Sequence, residues 1–63
     1  MQTEVNYMTS GTYLVRCPET EETEYCYSLD HANDVCFSMH SETGSYAYVE
    51  CWLGHTEIEY GEL

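Results

Sequence analysis

Residues 45–53 are the stretch that decides the fold, because they alternate between small apolar side chains and larger ones. They read Ser45-Tyr46-Ala47-Tyr48-Val49-Glu50-Cys51-Trp52-Leu53. Successive side chains of a β-strand face opposite sides, so this pattern predicts a strand with one aliphatic side and one aromatic side. The aliphatic side holds Ala47, Val49, Cys51 and Leu53. The other side holds Tyr46, Tyr48, Glu50 and Trp52.

Further strands are predicted on both sides of this stretch. Gly54 interrupts the alternation, which resumes in residues 55–60 and predicts a final hairpin strand. Residues 5–9 and 12–17 are rich in β-branched and aromatic side chains, and they predict two strands or one strand with a bulge. Pro18 ends that ladder because proline has no N–H to donate. We expect a solvated loop in residues 19–24 and a resumed strand in residues 25–27.

One helix is predicted between the two pairs of strands, in residues 29–41. Ser28 is a suitable N-cap, and Asp30 places a negative charge near the positive end of the helix dipole. Gly44 is suited to end the helix. The apolar positions fall within an arc of roughly 120° on a helical wheel, which is the stripe of an amphipathic helix. They are Leu29, Ala32, Val35, Cys36 and Met39.

The predicted fold is therefore α+β, a small antiparallel sheet with one helix packed on one face, in the order ββαββ. Residues 1–63 are interpreted as a single domain. A single helix covers a single face, so we expect the aromatic side of the sheet to be open. Tyr46, Tyr48 and Trp52, joined by Tyr25 or Tyr27, would form a partner interface there, close a homodimer, or pack against one another across the strands.

The charge of the chain excludes two classes of partner. The formal net charge is -11, with 12 acidic residues against Arg16 as the one residue of the Lys and Arg type. Such a field repels nucleic-acid phosphates and anionic membranes, and it attracts basic surfaces. Hydrophobic residues make up 43% of the chain, which is enough to fold. We expect a folded protein that binds a basic protein surface, although solubility or salt adaptation would also produce acidity.

No segment of the sequence predicts export or membrane insertion. Residues 1–6 lack the positive and apolar regions of a secretory signal. No apolar run approaches the roughly 20 residues that span a bilayer. We therefore expect a cytoplasmic location, in which cysteines stay reduced. The four cysteines are Cys17, Cys26, Cys36 and Cys51.

Acidic and aromatic residues are the candidate partner-binding positions. The acidic candidates are Glu19, Glu21, Glu22 and Glu24 in the predicted loop, Asp30 and Asp34 on the helix, and Glu50 on a strand. The aromatic candidates are Phe37, Tyr46, Tyr48 and Trp52. Phe37 lies roughly 140° from the centre of the helix stripe, so we expect an exposed anchor or a ring folded against a loop.

The spacing of strand carboxylates suggests what such a surface could imitate. Alternate residues of a strand lie roughly 6.6 Å apart. That distance is of the same order as the separation of neighbouring phosphates along a nucleic-acid strand. A rigid row of carboxylates could therefore occupy the phosphate track of a nucleic-acid-binding protein, whereas carboxylates in a hairpin loop could equally be solvated.

At the level of a class, the chain resembles the small acidic inhibitors that bacteriophages and mobile elements use against CRISPR, restriction and transcription proteins. The resemblance lies in the length, in the acidic residues 19–24, and in residues 28–32 followed by residues 46–50. These read Ser-Leu-Asp-His-Ala and Tyr-Ala-Tyr-Val-Glu. The resemblance implies a partner type, a basic nucleic-acid-binding protein of a host cell, and transfers no functional residue.

Catalysis and metal binding are not expected. The cysteines and histidines are scattered with no third group to order them, and so small a core seldom leaves a deep cleft. The cysteines stand nine, ten and fifteen positions apart, whereas zinc motifs place them about two to four apart. No cofactor and no metal ligand is assigned. The alternatives to an inhibitor are a homodimeric structural protein and a zinc-stabilised mini-domain.

Overall fold

A computed structural model describes residues 10–62. In chain order its elements are β1 (Tyr13–Cys17), β2 (Glu22–Cys26), α1 (Leu29–Thr43), β3 (Ala47–Cys51) and β4 (Thr56–Tyr60). The strands form one antiparallel sheet in the spatial order β2-β1-β3-β4, and α1 packs against all four of them. The predicted α+β fold in the order ββαββ is confirmed. The strand predicted in residues 5–9 lies outside the described residues.

The core lies between α1 and the sheet face that it covers. Val15 on β1 stands opposite Val49 on β3, and both are 0% exposed. Ala32, Cys36 and Met39 meet them from the helix, as the predicted stripe requires. The same cluster also contains Cys17, Cys26 and Ala47. Within residues 10–62, no helix has the length and apolar character of a membrane span.

Two residues of the predicted core are exposed instead. Leu29, the first residue of the helix stripe, is 38% exposed. Leu53 is 66% exposed, because β3 ends at Cys51 and residues 52 and 53 already belong to a turn. The predicted strand in residues 45–53 is therefore too long at both ends.

Both ends of α1 are capped, and the N-cap was predicted. Ser28 accepts a hydrogen bond at 3.1 Å from the N–H of His31. At the other end, Gly44 adopts a φ of 72° and its N–H donates to the carbonyl of His40 at 2.8 Å. A positive φ favours glycine, which has no Cβ to clash with the backbone. The helix therefore ends at Thr43, two residues beyond the predicted range, and Gly44 ends it as predicted.

Strand β2 begins earlier than predicted, because the turn before it is short. The N–H of Glu21 donates to the carbonyl of Pro18 at 3.2 Å, and Glu21 takes a positive φ of 63°. The turn reverses the chain so that Glu22 pairs with Cys17. Residues 22–24 are thus a strand and not the solvated loop that their composition predicted. The consequence is that Glu22 and Glu24 are held in a fixed register.

Replacing the N-cap, Ser28→Ala, should lower the free energy of unfolding by about 1 kcal/mol, because the N–H of His31 loses its acceptor. Urea denaturation followed by the fluorescence of Trp52 measures this. Ser41→Ala, at an exposed position inside the same helix, should change stability by less than about 0.5 kcal/mol. Equal losses in both variants would contradict the capping role of Ser28.

The buried thiol of Cys36 should be inert in the folded protein. Burial, and to a smaller extent the nearby Cys17, raises the pKa of Cys36 to about 11. Only the thiolate reacts with alkylating agents, so iodoacetamide at mildly alkaline pH should leave Cys36 unmodified. Peptide mapping by mass spectrometry checks this, with the urea-unfolded chain as the control in which Cys36 is fully alkylated. Rapid alkylation of native Cys36 would contradict the packing of the core.

Candidate functional site

An acidic groove of about 390 Å³ runs between β2 and α1. Four of its lining residues are carboxylates, and Val35 and Met39 give it an apolar part. The full lining is Glu22, Glu24, His31, Asp34, Val35, Ser38, Met39 and Glu42. Such a groove matches a lysine or arginine side chain, whose methylene stem packs on apolar surface while its charged end meets carboxylates. We call it the acidic groove.

The fold brings these carboxylates together from two elements. Glu24 pairs with Val15 and Glu22 pairs with Cys17. Directly opposed residues of a ladder share one face, so both glutamates lie on the face that α1 covers. On the helix, Asp34 and Glu42 lie on one side, because residues three, four, seven and eight apart share a helix face. One wall of the groove is thus β2 and the other is the helix.

No lysine or arginine neutralises the acidic groove. Arg16, the one such residue in the sequence, is exposed on β1 and alternates with Val15 and Cys17, so it lies on the opposite face of the sheet. The field of the groove acts on a neighbouring thiol: burial raises the pKa of Cys26, and the negative charge of Glu24 raises it further. The groove is therefore an uncompensated negative surface.

The opposite sheet face carries tyrosines, but it is less open than predicted. The cross-strand rows are Tyr25–Leu14–Glu50–Thr56 and Thr23–Arg16–Tyr48–Glu59. Tyr25 is 49% exposed, whereas Tyr48 and Glu50 are half-buried and Leu14 is only 6% exposed. An aliphatic residue is therefore buried on the very face that we expected to be uncovered.

Tyr46 and Tyr48 form one aromatic pair next to these rows. Their ring centroids lie 5.6 Å apart. The hydroxyl of Tyr46 donates to a carboxylate oxygen of Glu59 at 2.9 Å. Burial raises the pKa of Tyr46, and this hydrogen bond and the charge of Glu59 add to the effect. Tyr46 and Tyr48 thus already contact each other, and the Tyr46 hydroxyl already has a hydrogen-bond partner within the chain.

The other two predicted aromatic contacts lie elsewhere. Trp52 belongs to the turn after β3, and its ring meets that of Tyr13 edge-on at a centroid distance of 5.4 Å. Phe37 is 53% exposed and meets Tyr60 edge-on at 5.3 Å. The prediction that Trp52 extends the strand side of Tyr46 and Tyr48 is therefore wrong, because β3 ends one residue before it. A homodimer interface on the sheet side of Tyr46 and Tyr48 would therefore lack Trp52.

The remaining carboxylate candidates lie outside the acidic groove, and all of them are exposed except Glu50, which is half-buried on the opposite sheet face. Glu19 and Glu21 occupy the turn between β1 and β2, and Asp30 lies in the first turn of α1. The structure thus joins Glu22, Glu24 and Asp34 in one site and separates them from the other candidates. It adds Glu42 and His31, which the sequence analysis did not select. Glu42 lies about two helical turns after Asp34, and this spacing could have indicated Glu42 from the sequence.

Within the described part of the chain, two clusters of metal-binding side chains also escaped the sequence analysis. In each, one cysteine, one histidine and one glutamate have donor atoms within 4.8 Å of one another. One cluster is Glu24, Cys26 and His31, and the other is Cys51, His55 and Glu57. The expectation of no zinc site depended only on the intervals between one cysteine and the next. The signal lay in the short cysteine-to-histidine intervals, four intervening residues in the first cluster and three in the second.

Comparison of the chain with models of protein families, with characterised proteins and with solved structures gives no match.

Neutralising the acidic groove should stabilise the fold at low ionic strength. The double variant Glu24→Gln with Asp34→Asn removes two of the four carboxylates that repel one another, so its melting temperature should rise. The gain should shrink at about 1 M salt, where the Debye length falls to about 3 Å. Differential scanning calorimetry at both salt concentrations measures the effect.

A matched double variant controls for net charge. Glu19→Gln with Glu62→Gln removes the same charge from exposed positions outside the acidic groove. It should raise the melting temperature less. If both double variants raise it equally, the repulsion belongs to the net charge of the chain and not to the acidic groove.

Proposed function

We propose that this protein is an acidic inhibitor or regulator that binds a basic, nucleic-acid-facing surface of another protein through the acidic groove. The observation that carries the proposal is the convergence of Glu22, Glu24, Asp34 and Glu42 around an apolar lining with no lysine or arginine among them. A basic side chain docked there gains ion pairs and buries its methylene stem.

The placement of the acids supports a competitor of nucleic acid. Glu22 and Glu24 are alternate residues of an ordered strand, so their backbone positions lie roughly 6.6 Å apart. This distance is of the same order as the spacing between neighbouring phosphates of a nucleic-acid strand. The pairing of the strand already fixes it, so binding does not have to order these two residues. A preorganised row of charges binds at a lower entropic cost than the flexible loop that the composition predicted.

The charge of the chain supports fast and salt-sensitive association. A formal net charge of -11 steers basic partners toward the protein and repels nucleic acid itself. An exposed aromatic ring adds contact area that salt does not screen, and Tyr27, which directly follows β2 and is 78% exposed, is such a ring. Affinity should therefore fall as salt rises, but less steeply than for ion pairs alone.

The resemblance to small acidic phage inhibitors supplies the kind of partner. Those proteins act on host machinery whose basic surfaces hold DNA or RNA. A chain with the acidic groove described here would compete with the nucleic acid for that surface by mass action.

A competition assay with a defined basic probe tests the proposal. A fluorescently labelled arginine-rich peptide is bound to its cognate RNA, and the protein is added at several salt concentrations. We expect release of the peptide from the RNA and tighter binding at low salt. Glu24→Gln with Asp34→Asn should weaken binding by about tenfold, as the loss of two ion pairs of roughly 0.7 kcal/mol each predicts.

The same matched variant locates the binding surface. Glu19→Gln with Glu62→Gln has the same net charge as the groove variant and should compete nearly as well as the unaltered chain. Equal loss in both would show that net charge, and not the acidic groove, attracts the peptide. If the affinity of the protein for the peptide does not change with salt, the proposed mechanism is wrong.

A further inference from the structure

The hairpin between β3 and β4 gathers three side chains that bind metals. The Sγ of Cys51, a ring nitrogen of His55 and a carboxylate oxygen of Glu57 lie within 4.8 Å of one another. Cys51 is 3% exposed, while His55 and Glu57 are exposed. A nearly buried thiol thus lies beside two side chains that reach solvent.

A register shift assembles this cluster. Along most of the β3–β4 ladder, Ala47 pairs with Tyr60 and Val49 with Ile58, but Glu50 pairs with Thr56. The shift leaves Glu57 as an extra residue in β4. It also moves His55 opposite Cys51, a position that Thr56 would hold in an unshifted ladder. Bulges redirect side chains in this way and are frequent next to functional sites.

The backbone of the turn holds the cluster in place. The N–H of Cys51 donates to the carbonyl of His55 at 2.9 Å, and the N–H of Gly54 donates to the carbonyl of Cys51 at 2.9 Å. Gly54 has a φ of 88°, which residues with a side chain rarely adopt. The two ends of the turn, which carry the thiol and the imidazole, are therefore tied together by hydrogen bonds.

We propose that Cys51, His55 and Glu57 form a binding site for a single zinc ion. Thiolate sulfur and imidazole nitrogen are ligands that zinc prefers and that calcium and magnesium, which take oxygen ligands, do not. Three protein ligands leave one position of a tetrahedral ion for water. Binding replaces the proton of the Cys51 thiol by the metal, and that proton passes to solvent.

The distances require only a small adjustment. Tetrahedral zinc, with bonds of about 2.3 Å to sulfur and about 2.0 Å to nitrogen and oxygen, sets its ligand atoms roughly 3.5 Å apart. The donors of the cluster lie within 4.8 Å. Rotation of the exposed His55 and Glu57 side chains can close that gap while Cys51 stays where the strand holds it.

The second cluster, Glu24, Cys26 and His31, is the less suitable of the two. Its cysteine is buried like Cys51, at 0% exposure, so burial does not separate the two clusters. Its other two ligands also line the acidic groove, where neighbouring carboxylates attract any cation without selecting zinc. None of Cys51, His55 and Glu57 lines that groove, so the hairpin site is independent of the proposed function.

Cobalt(II) substitution in the reduced protein tests the site. Cobalt should produce a thiolate-to-metal charge-transfer band and quench the fluorescence of Trp52, the one tryptophan of the chain and the neighbour of Cys51. Zinc should reverse both signals at one equivalent and raise the melting temperature. His55→Ala, at an exposed position, should weaken zinc binding at least about tenfold while leaving the circular dichroism spectrum unchanged.

His31→Ala is the matched control, because it removes the histidine of the other cluster. It should retain the cobalt band, the quenching of Trp52 and the zinc-induced stabilisation. Cys51→Ala should abolish the charge-transfer band even if it lowers stability. The proposal is overturned if the unaltered chain gives no charge-transfer band, or if the band survives in His55→Ala and is lost in His31→Ala.

Discussion

The pairing of β1 with β3 is the interaction on which the rest of the structure depends. Each of these strands is the first strand of a hairpin, and their ladder joins the two hairpins into one sheet. At its middle, Val15 and Val49 oppose each other with no exposed surface, and the helix closes over them. With β1 and β3 at the centre, β2 and β4 are the outer strands of the sheet that residues 10–62 form, and both candidate sites lie at those strands.

Within residues 10–62, β2 pairs with β1 alone, and the placement of charge follows from this edge position. A row of carboxylates could not face α1 from a central strand, because the core would bury them without partners. At an edge the same side chains remain in contact with water, and charges on the inward side of an edge strand also prevent pairing with a second sheet. Glu22 and Glu24 therefore both protect the edge and form one wall of the acidic groove.

Patterns within one element were predictable, whereas positions that depend on two elements were not. Alternation and helical spacing gave the fold class, the stripe of Ala32, Cys36 and Met39, and the Ser28 cap. The acidic composition predicted a loop at Glu22 and Glu24. The four-residue turn that ends at Glu21, with its positive φ, cannot be recognised from acidic residues alone. The register shift that sets His55 opposite Cys51 is likewise a property of the pair β3 and β4, and neither strand shows it alone.

The two candidate sites can operate independently because of the strand order. The acidic groove borders β2 and the cysteine hairpin ends β3 and β4, so most of the sheet separates them. Three strand spacings amount to roughly 14 Å. The Debye length at physiological salt is about 8 Å, so charges exposed at the two edges are largely screened from each other. A zinc ion in the hairpin would therefore stabilise the β3–β4 turn without cancelling the negative field of the acidic groove.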